Sequence, residues 1–253
     1  MSLDVLYANS SHADGRYIKE AVQSAASFRR FLPHAQYVLY TDVNTFSDPA
    51  FDEVVTVPFT VPEPLQERRH FNGQMLVKMD AMLERDCDQV LVLGSDTYAL
   101  SPSVRELPGL LDRFDIAVAH AALRVPDLMA KVPQVPTAFP EFNCDIILFR
   151  NTEVVRTALR EWRQLYVTDA FEHPHDQGAF RYAMFFSDLR IATLPPEYNY
   201  RGWDVRKDTV ILHRREILSQ YLNGEGLPRR VARRLARRVL ERTGPHQSRS
   251  GMR

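Results

Sequence analysis

Short apolar runs alternate with amphipathic stretches along the first 213 residues of the chain. The clearest run is VLVLG at residues 90–94, which stops at Ser95, Asp96 and Thr97. An apolar run of this length that ends at polar residues is typical of a strand buried on both faces. Ligands bind at the carboxyl ends of such strands in an open α/β sheet, so Asp96 is predicted to lie at that edge. The alternative is that Asp96 caps the following turn.

The same pattern predicts further strands over residues 3–9, 36–42, 51–58, 115–120, 144–150, 190–195 and 209–213. Apolar residues at helical spacing predict helices over residues 15–31, 74–86, 152–167 and 177–187, with Asp14 as a cap of the first. The segments 59–73 and 124–142 lack this spacing and are predicted to be loops. Strands that alternate with helices favour a Rossmann-like α/β fold, with a mostly parallel central sheet and helices on both faces.

Length and composition indicate one large globular domain. The 253 residues are 45% apolar and 25% charged, which is ordinary for a soluble protein. Cys87 and Cys144 have neither metal-ligand spacing nor the density of a secreted disulfide framework. The first residues lack a signal-sequence pattern, and no apolar run is long enough to span a bilayer. We therefore expect a cytoplasmic protein with reduced thiols.

The carboxyl-terminal region differs from the rest in charge. Residues 227–253 contain nine of the 32 Lys and Arg but one of the 32 Asp and Glu, which leaves 23 basic and 31 acidic residues elsewhere. A body of about −8 therefore carries a tail of about +8. We divide the chain into a domain over 1–226 and a basic tail over 227–253. Within the tail, residues 227–242 are predicted to form a basic amphipathic helix that binds an anionic membrane from the cytoplasmic side. The alternative is a helix packed on the acidic surface of the body. No nucleic-acid partner is expected, since aromatic residues do not accompany the arginines.

Polar residues cluster where predicted strands end or predicted helices begin. The clusters are Tyr7–Asn9 with Tyr17, Ser95–Asp96, Asn143–Asp145, Asp176–Gln177, and His213. One cluster would be a turn, whereas several at one edge of a sheet would form a site.

Several segments taken in order resemble the GT-A fold glycosyltransferases that use nucleotide-diphosphate sugars, broadly the glycogenin-like group. That group has a nucleotide-binding first strand and helix, a strand that ends in Asp-x-Asp, an Asn-x-Gly segment, an Asp-Gln pair that starts a helix, and a late strand that ends in a metal-binding His. The matching segments here are LYANSSHADGRY (6–17), VLYTD (38–42), VLVLGSDTY (90–98), FNCDIILFRN (142–151), HDQGAF (175–180), LPPEYNYR (194–201) and VILH (210–213).

Two positions depart from the pattern of the group. Gly94 stands where the first Asp of Asp-x-Asp would be, so only Ser95 and Asp96 remain. Asp145 stands where the group has the Gly of Asn-x-Gly, and it adds a carboxylate. We expect either a rebuilt metal site or a weaker dependence on metal.

The resemblance implies a metal-dependent, hexosyltransferase-like enzyme that moves a sugar from a nucleotide donor, expected to be a UDP-sugar, to a hydroxyl group of a glycan, glycolipid or other acceptor. Mn²⁺ or Mg²⁺ would be held by Asp96 and His213, and would stabilise the leaving diphosphate. The residues implied in binding the nucleotide sugar are Ala8, Asn9, Tyr17, Lys78, Ser95, Asp96 and Asn143. Those implied in catalysis, near the acceptor and the anomeric carbon, are Asp145, Asp176 and Gln177.

Each assignment has a structural alternative. Asn9 and Tyr17 could be turn and core residues, Lys78 could be a solvated side chain, and Asp176 could cap a helix. His213 could be a hydrogen-bonded histidine at the end of a strand. At the level of the whole protein, the alternatives are a nucleotidyltransferase of sugar phosphates and a non-catalytic relative that binds a nucleotide sugar. The first is disfavoured by SSHADGR, which lacks a Gly-rich triphosphate loop.

Overall fold

The computed structural model describes residues 1–12, 15–121, 132, 134–168, 175–202 and 205–215. The strands in this part of the chain are β1 Leu3–Ala8, β2 Gln36–Thr41, β3 Glu53–Thr56, β4 Gln89–Leu93, β5 Thr97–Ala99, β6 Ile116–His120, β7 Phe142–Arg150, β8 Ile191–Leu194 and β9 Ile211–His213. The helices are α1 Arg16–Arg29, α2 Arg69–Glu84, α3 Glu153–Val167 and α4 Gln177–Phe186. Short 3₁₀ turns occur at Glu63–Arg68, Pro102–Glu106, Pro108–Asp112 and Pro196–Asn199.

Alternation along the strands places apolar side chains on both faces of the main sheet. In β1, Val5 and Tyr7 pack in one hydrophobic cluster, which includes residues of α1. Leu6 packs in the other, which includes residues of α2, α3 and α4. The strand β4 divides in the same way, because Leu91 belongs to the first cluster and Val90 to the second. The prediction of an α/β fold with helices on both faces is confirmed.

The main sheet has seven strands in the order β3-β2-β1-β4-β7-β6-β8. All neighbours are parallel except β7, which runs antiparallel to both β4 and β6. The sheet is thus mostly parallel, as predicted. From β1 the chain continues outward to β2 and β3, and then returns to place β4 on the other side of β1. Such a reversal of strand order opens a crevice at the carboxyl ends of the two central strands.

The last predicted strand does not belong to the main sheet. The strand β9 pairs antiparallel with β5, which the sequence analysis missed, and the two form a separate two-stranded sheet. A three-residue strand is too short to show a periodic pattern, so its partner could not be identified from spacing. This small sheet brings His213 opposite Thr97, immediately after Asp96.

The predicted loop at 59–73 is also wrong in part. It contains the 3₁₀ turn Glu63–Arg68, and α2 begins at Arg69, five residues before the predicted start. Gly73 lies inside this helix. Glycine suits the position, because a Cβ atom there would be only 3.2 Å from the Phe59 carbonyl oxygen. A glycine selected by close packing resembles a helix breaker in the sequence.

The strand β7 begins at Phe142, two residues earlier than predicted. The Asp14 cap, residues 124–131 and 133 of the predicted 124–142 loop, and the basic tail lie outside the described residues. In the described part of the chain, no helix is long and apolar enough to cross a membrane.

Candidate active site

A cavity of about 610 Å³ opens at the carboxyl ends of β1 and β4. Ser10, which follows β1, and Tyr17 on α1 line one part of it. The segment Gly94–Asp96, which directly follows β4, lines another part. The sequence therefore placed Ser95 and Asp96 correctly at an edge of the sheet where parallel strands end together.

Asp96 and His213 lie side by side at this cavity. His213 is 1% exposed, and its Nε2 is 3.3 Å from Asp96 Oδ1. The other ring nitrogen, Nδ1, lies 2.7 Å from Asn199 Oδ1, and the Asn199 amide donates to the His120 carbonyl oxygen at 2.7 Å. Because this second bond fixes the Asn199 oxygen toward the ring, Nδ1 carries a proton and Nε2 faces the carboxylate.

The pKa of Asp96 depends on burial, on a side-chain hydrogen bond and on nearby positive charges. Burial by itself raises the pKa of Asp96, but the hydrogen bond from His213 and the positive charges of His213, Arg215 and Arg201 outweigh burial and lower that pKa well below its usual range. The carboxylate is therefore ionised throughout the physiological range and can accept a cation.

Gly94 and Asp145 are in close contact across β4 and β7. The Gly94 N–H donates to the Asp145 carbonyl oxygen at 2.8 Å. A Cβ atom at position 94 would be 2.8 Å from the Asp145 Cβ and 3.1 Å from its carboxyl carbon. The Asp145 carboxylate in turn has Oδ2 3.7 Å from His213 Nε2. Asp96, which follows β4, Asp145, inside β7, and His213, the last residue of β9, thus lie together.

Lys78 is buried behind this group rather than solvated. Its Nζ donates to Asp176 Oδ2 at 2.7 Å and to the Cys144 carbonyl oxygen at 3.1 Å, and lies 3.8 Å from Asp145 Oδ1. Burial by itself lowers the pKa of Lys78, but the Asp176 and Asp145 carboxylates outweigh burial and raise that pKa above its usual value. Lys78 is therefore a permanent cation that holds two carboxylates in place.

Asp176 occupies the N-cap position of α4, as the helix-cap alternative has it, but its side chain makes no capping hydrogen bond. The side chain is instead bonded to Lys78 and only 4% of the residue is exposed. Gln177, the first residue of α4, is half-buried. Asn143 is buried, and its Oδ1 accepts the Asp145 N–H at 3.1 Å, so this oxygen shapes the Asp145 backbone.

The end of β1 contains buried polar atoms that the fold does not satisfy. Ala8 is half-buried, and the Asn9 N–H donates to the Tyr40 carbonyl oxygen at 2.9 Å. Asn9 Oδ1 and Ser10 Oγ are both buried and have no hydrogen-bond partner among the described residues. An unsatisfied buried polar atom costs roughly 1–3 kcal/mol, which a ligand with complementary groups would recover.

The sequence analysis missed Arg215, which lies at the rim of the cavity. Its Nε donates to both carboxylate oxygens of Glu20, at 2.6 and 2.9 Å, and its Nη2 is 3.9 Å from Asp96 Oδ2. The guanidinium also lies 5.1 Å from the centre of the Tyr17 ring. An arginine two positions after a strand carries no local signal, because its partners are set by tertiary contacts.

Seven of these side chains form a continuous network of charged and titratable groups, which we call the site cluster: Glu20, Lys78, Asp96, Asp145, Asp176, His213 and Arg215. Four carboxylates stand against two permanent cations.

The side chains of the site cluster are of the types that bind divalent cations, but their arrangement is not that of a metal site. Carboxylate oxygens and an imidazole nitrogen are ligands for Mn²⁺, and carboxylates are ligands for Mg²⁺. As the side chains stand, no group of three or more His, Cys, Asp or Glu residues in the described part of the chain is arranged to hold a metal ion.

The strand order, the crevice and its polar edge define a GT-A fold, the fold of nucleotide-sugar glycosyltransferases. The galactosyltransferase LgtC, solved with donor and acceptor sugar analogs, is similar with a TM-score of 0.55 at 13% identity, over 98% of both chains. The glycosyltransferase GlyE of Streptococcus pneumoniae TIGR4 has a TM-score of 0.52 at 17% identity, over 93% of this chain and 60% of its own. Mouse xyloside xylosyltransferase 1 has a TM-score of 0.52 at 12% identity, over 85% of this chain and 97% of its own.

No protein-family model matches the sequence, and no curated protein matches it. The predicted GT-A fold is therefore confirmed by structural similarity, while the narrower likeness to the glycogenin-like group stays a prediction.

Proposed function

We propose that this protein is a glycosyltransferase that moves a sugar from a nucleotide-diphosphate donor, a UDP-sugar, to a hydroxyl group of a glycan, glycolipid or other acceptor. The observation that carries the proposal is the pair of Asp96 and His213, held by Asn199 beside a cavity at the carboxyl edge of a GT-A sheet. In this fold that edge is the position of a ligand that spans two central strands.

We assign a divalent cation, Mn²⁺ or Mg²⁺, to Asp96 and His213, whose side chains are of the types that bind such ions. When bound, the ion would stabilise the negative charge that develops on the departing nucleoside diphosphate. The imidazole favours Mn²⁺ over Mg²⁺ as the physiological ion.

Residues of the cavity wall would bind the nucleotide. Tyr17 and Ser10 line the cavity, where Tyr17 offers an aromatic surface. Ser10 Oγ, together with Asn9 Oδ1 on the preceding residue, offers buried hydrogen-bonding capacity. Uracil supplies both a ring N–H donor and carbonyl acceptors, which suits these two atoms. The Arg215 guanidinium at the rim would attract the diphosphate.

The acceptor side would be formed by α4. Gln177 is half-buried and begins the helix, so it is our candidate for contact with the acceptor hydroxyl or the anomeric carbon. Asp176 is bonded to Lys78 inside the protein, and we assign both a positioning role. Lys78 thereby fixes Asp176 and Asp145 relative to the cavity.

The test is a thermal-shift panel of UDP-, GDP-, CMP- and dTDP-sugars, each with and without Mn²⁺, on wild type and Asp96→Asn. A donor at about a hundred times its dissociation constant stabilises the native state by about 2.7 kcal/mol. We expect one donor class to raise the midpoint of wild type in a Mn²⁺-dependent way and to have little effect on Asp96→Asn. The control is Asp112→Asn, since Asp112 is exposed and lies outside the cavity.

The result also separates the alternatives. No shift with any donor would overturn the proposal. A shift without donor hydrolysis or transfer to any acceptor would favour a non-catalytic sugar-nucleotide binder. Release of pyrophosphate from a nucleoside triphosphate and a sugar phosphate would identify a nucleotidyltransferase.

We further propose that the tail, residues 227–242, attaches the enzyme to an anionic membrane on which a lipid-linked acceptor lies. The support is its sequence, in which paired arginines flank Val231, Leu235 and Val239. Co-sedimentation with vesicles of phosphatidylcholine and phosphatidylglycerol tests it. Replacement of Arg233, Arg234, Arg237 and Arg238 by Gln should abolish pelleting, and pelleting that is unchanged would contradict this role.

A further inference from the structure

Three buried hydroxyl groups lead in series to the turn that carries Asp96. They belong to Tyr7 on β1, Ser24 on α1 and Thr97 on β5, each 0% exposed, and we call them the hydroxyl network. The Tyr7 hydroxyl lies 2.9 Å from Ser24 Oγ, which in turn lies 3.2 Å from Thr97 Oγ1. The Thr97 hydroxyl donates to the Gly94 carbonyl oxygen at 2.8 Å. The network thus connects two strands and a helix that are far apart along the chain.

The direction of each hydrogen bond in the hydroxyl network follows from the last one. A hydroxyl group has one proton, and a carbonyl oxygen can only accept. Since Thr97 directs its proton to Gly94, Ser24 must donate to Thr97, and Tyr7 must then donate to Ser24. Burial outweighs the hydrogen bond with Ser24 and raises the pKa of Tyr7 well above its usual value, so Tyr7 keeps its proton. Hydrogen bonds that all run in one direction polarise one another, which strengthens the bond to the Gly94 carbonyl.

The Gly94 carbonyl closes the turn in which Ser95 and Asp96 are the two central residues. The Thr97 N–H donates to this oxygen at 3.2 Å, which is the bond typical of a β-turn. The Thr97 hydroxyl donates to the same oxygen at the shorter distance of 2.8 Å. Ser95 and Asp96 both line the cavity. The orientation of two residues of the cavity wall therefore depends on a carbonyl group that the hydroxyl network holds.

A second buried serine on α1 makes similar bonds that do not reach the turn. Ser27 is 1% exposed, accepts the Ala99 N–H at 2.9 Å and donates to the Ser24 carbonyl oxygen at 2.6 Å. A serine on a buried helix face is unfavourable unless its hydroxyl is bonded. Ser24 and Ser27 therefore both join α1 to β5 by hydrogen bonds, but only Ser24 is connected to the Gly94 carbonyl.

We propose that the three members of the hydroxyl network are positioning residues of the nucleotide-sugar site. By holding the Gly94 carbonyl they set the orientation of Ser95 and Asp96 in the cavity. Because Thr97 also lies opposite His213 in the small sheet, the same residue links α1 to the strand that carries the imidazole. The inference rests on the proposed function and extends it to side chains that lie behind the cavity wall. A network that only stabilised the core would leave the affinity of the folded protein for its donor unchanged.

The primary test compares Thr97→Val with Thr97→Ser. Valine has nearly the shape of threonine but no hydroxyl, whereas serine keeps the hydroxyl and lacks the methyl group. We expect Thr97→Val to raise the dissociation constant of UDP, measured with Mn²⁺ by isothermal titration calorimetry on folded protein, about tenfold, which is the effect of about one hydrogen bond. Thr97→Ser should restore binding to within about twofold of wild type. Binding by Thr97→Val as tight as in wild type, or equal weakening by both substitutions, would overturn the inference.

Two matched substitutions on α1 separate positioning from packing. Ser24→Ala interrupts the hydroxyl network, and Ser27→Ala removes the same group three positions away. Both should lower the free energy of unfolding in urea, since each leaves a buried polar group without its partner. Only Ser24→Ala should weaken UDP binding, by about threefold, because Thr97 keeps its bond to Gly94 but loses the donor behind it. Equal UDP affinities of the two variants would contradict the proposed role.

Amide hydrogen exchange over residues 94–97 gives a measurement that needs no nucleotide. Exchange should be about tenfold faster in Thr97→Val than in wild type and unchanged in Ser27→Ala. Equal exchange in wild type and Thr97→Val would overturn the inference whether or not a nucleotide binds. If wild type does not bind UDP but exchange changes as expected, the donor site is refuted and the positioning of the turn stands. If wild type binds UDP and Thr97→Val binds it equally well, only this inference is refuted.

Discussion

The two ends of the main sheet each hold a group of buried charges, and the two groups differ in how they are balanced. At the amino ends of the parallel strands lies the amino-edge cluster, Asp4, Glu53 and Arg85. Arg85 Nε bonds to Asp4 at 2.7 Å and Arg85 Nη1 to Glu53 at 3.0 Å. Gln36 adds a hydrogen bond to Glu53 at 3.1 Å. One guanidinium with several donors, on the residue that directly follows α2, thus joins β1 to β3.

The charges of the amino-edge cluster are paired within the protein, whereas the site cluster at the opposite end presents charges to a cavity. Its carboxylates outnumber its permanent cations, His213 presents a nitrogen to two carboxylates, and Asp96 and Asp145 line a cavity. Charges that only join elements can be saturated by the protein, whereas charges that bind a ligand must be left partly unsatisfied. The comparison predicts opposite effects of substitution at the two ends: lost stability at the amino edge and lost binding at the carboxyl edge.

The largest effect should come from Asp96→Asn. We expect kcat/KM for donor hydrolysis or transfer, with the donor found by thermal shift, to fall about 10³-fold, equivalent to about 4 kcal/mol. The free energy of unfolding without ligand should fall as well, because the lowered pKa of Asp96 means that its charge stabilises the folded protein at neutral pH, so rates are compared under conditions in which both proteins are folded. Urea unfolding and initial rates measure the two quantities. A large loss of stability with normal kinetics would reverse the assignment of the two ends.

Arg85→Met should have the opposite profile. Asp4 is 2% exposed, and removal of its partner leaves a buried carboxylate without a counter-ion, which costs about 3 kcal/mol. We expect urea unfolding to show that loss, while the dissociation constant of the donor in the folded protein stays within about twofold of wild type. Asp86→Asn serves as the control, because Asp86 is the next residue along the chain and is exposed. If the free energy of donor binding changed as much as the free energy of unfolding, the two ends of the sheet would be energetically coupled.

Arg215→Gln should produce an intermediate effect on binding. The guanidinium at the cavity rim is 3.9 Å from Asp96, so its loss removes positive charge where a diphosphate would lie. We expect about tenfold weaker binding of the nucleoside diphosphate, or about 1.4 kcal/mol, by isothermal titration calorimetry. Arg206→Gln is the matched control, because Arg206 is exposed and pairs with Asp208 away from the cavity. Equal affinities of the two variants would remove Arg215 from the phosphate site.

The smallest effect should come from Asp115→Asn, at the start of β6 on the amino side of the sheet. The side-chain hydrogen bond from Arg190 lowers the pKa of Asp115, against a smaller effect of burial, and the Arg190 N–H lowers it further. A depressed folded pKa stabilises the protein above the unfolded value of about 3.9 and loses that effect as pH falls through the folded pKa. The difference in melting midpoint between wild type and Asp115→Asn should therefore be full at neutral pH and vanish in strong acid. A difference that does not depend on pH would contradict an ionic origin.

The spacing of apolar residues along the chain was sufficient to predict those strands and helices that bury a regular face. The strand β4, the helices α3 and α4 and the position of Asp96 follow from apolar spacing and from the polar residues that end each run. His213 could be associated with Asp96 because the order of several segments resembled a known group. The pairing itself depends on β5 and β9, each three residues long, and was not predictable from periodicity.

Long-range contacts account for what the sequence did not predict. Lys78 and Asp176 are 98 positions apart, and no property of either segment indicates that one neutralises the other. Arg215 reaches Glu20 across 195 positions, and its role follows only from the packed structure. The early start of α2 was missed because Gly73 looks like a helix breaker in the sequence, whereas in the structure it lies in close contact with Phe59, which spacing along the chain does not show.

The pairing of β5 with β9 also sets the order in which the site can form during synthesis. Thr97 cannot pair with its partner until His213, 116 positions later, has been synthesised. By that point all seven strands of the main sheet have been made. At ribosomal rates of about 5–20 residues per second, the delay is about 6–23 seconds. The nascent protein therefore passes through an interval in which Asp96 and Asp145 are present without their imidazole. Any chaperone or metal-delivery step that acts during synthesis would meet a site of two carboxylates before it met the complete one.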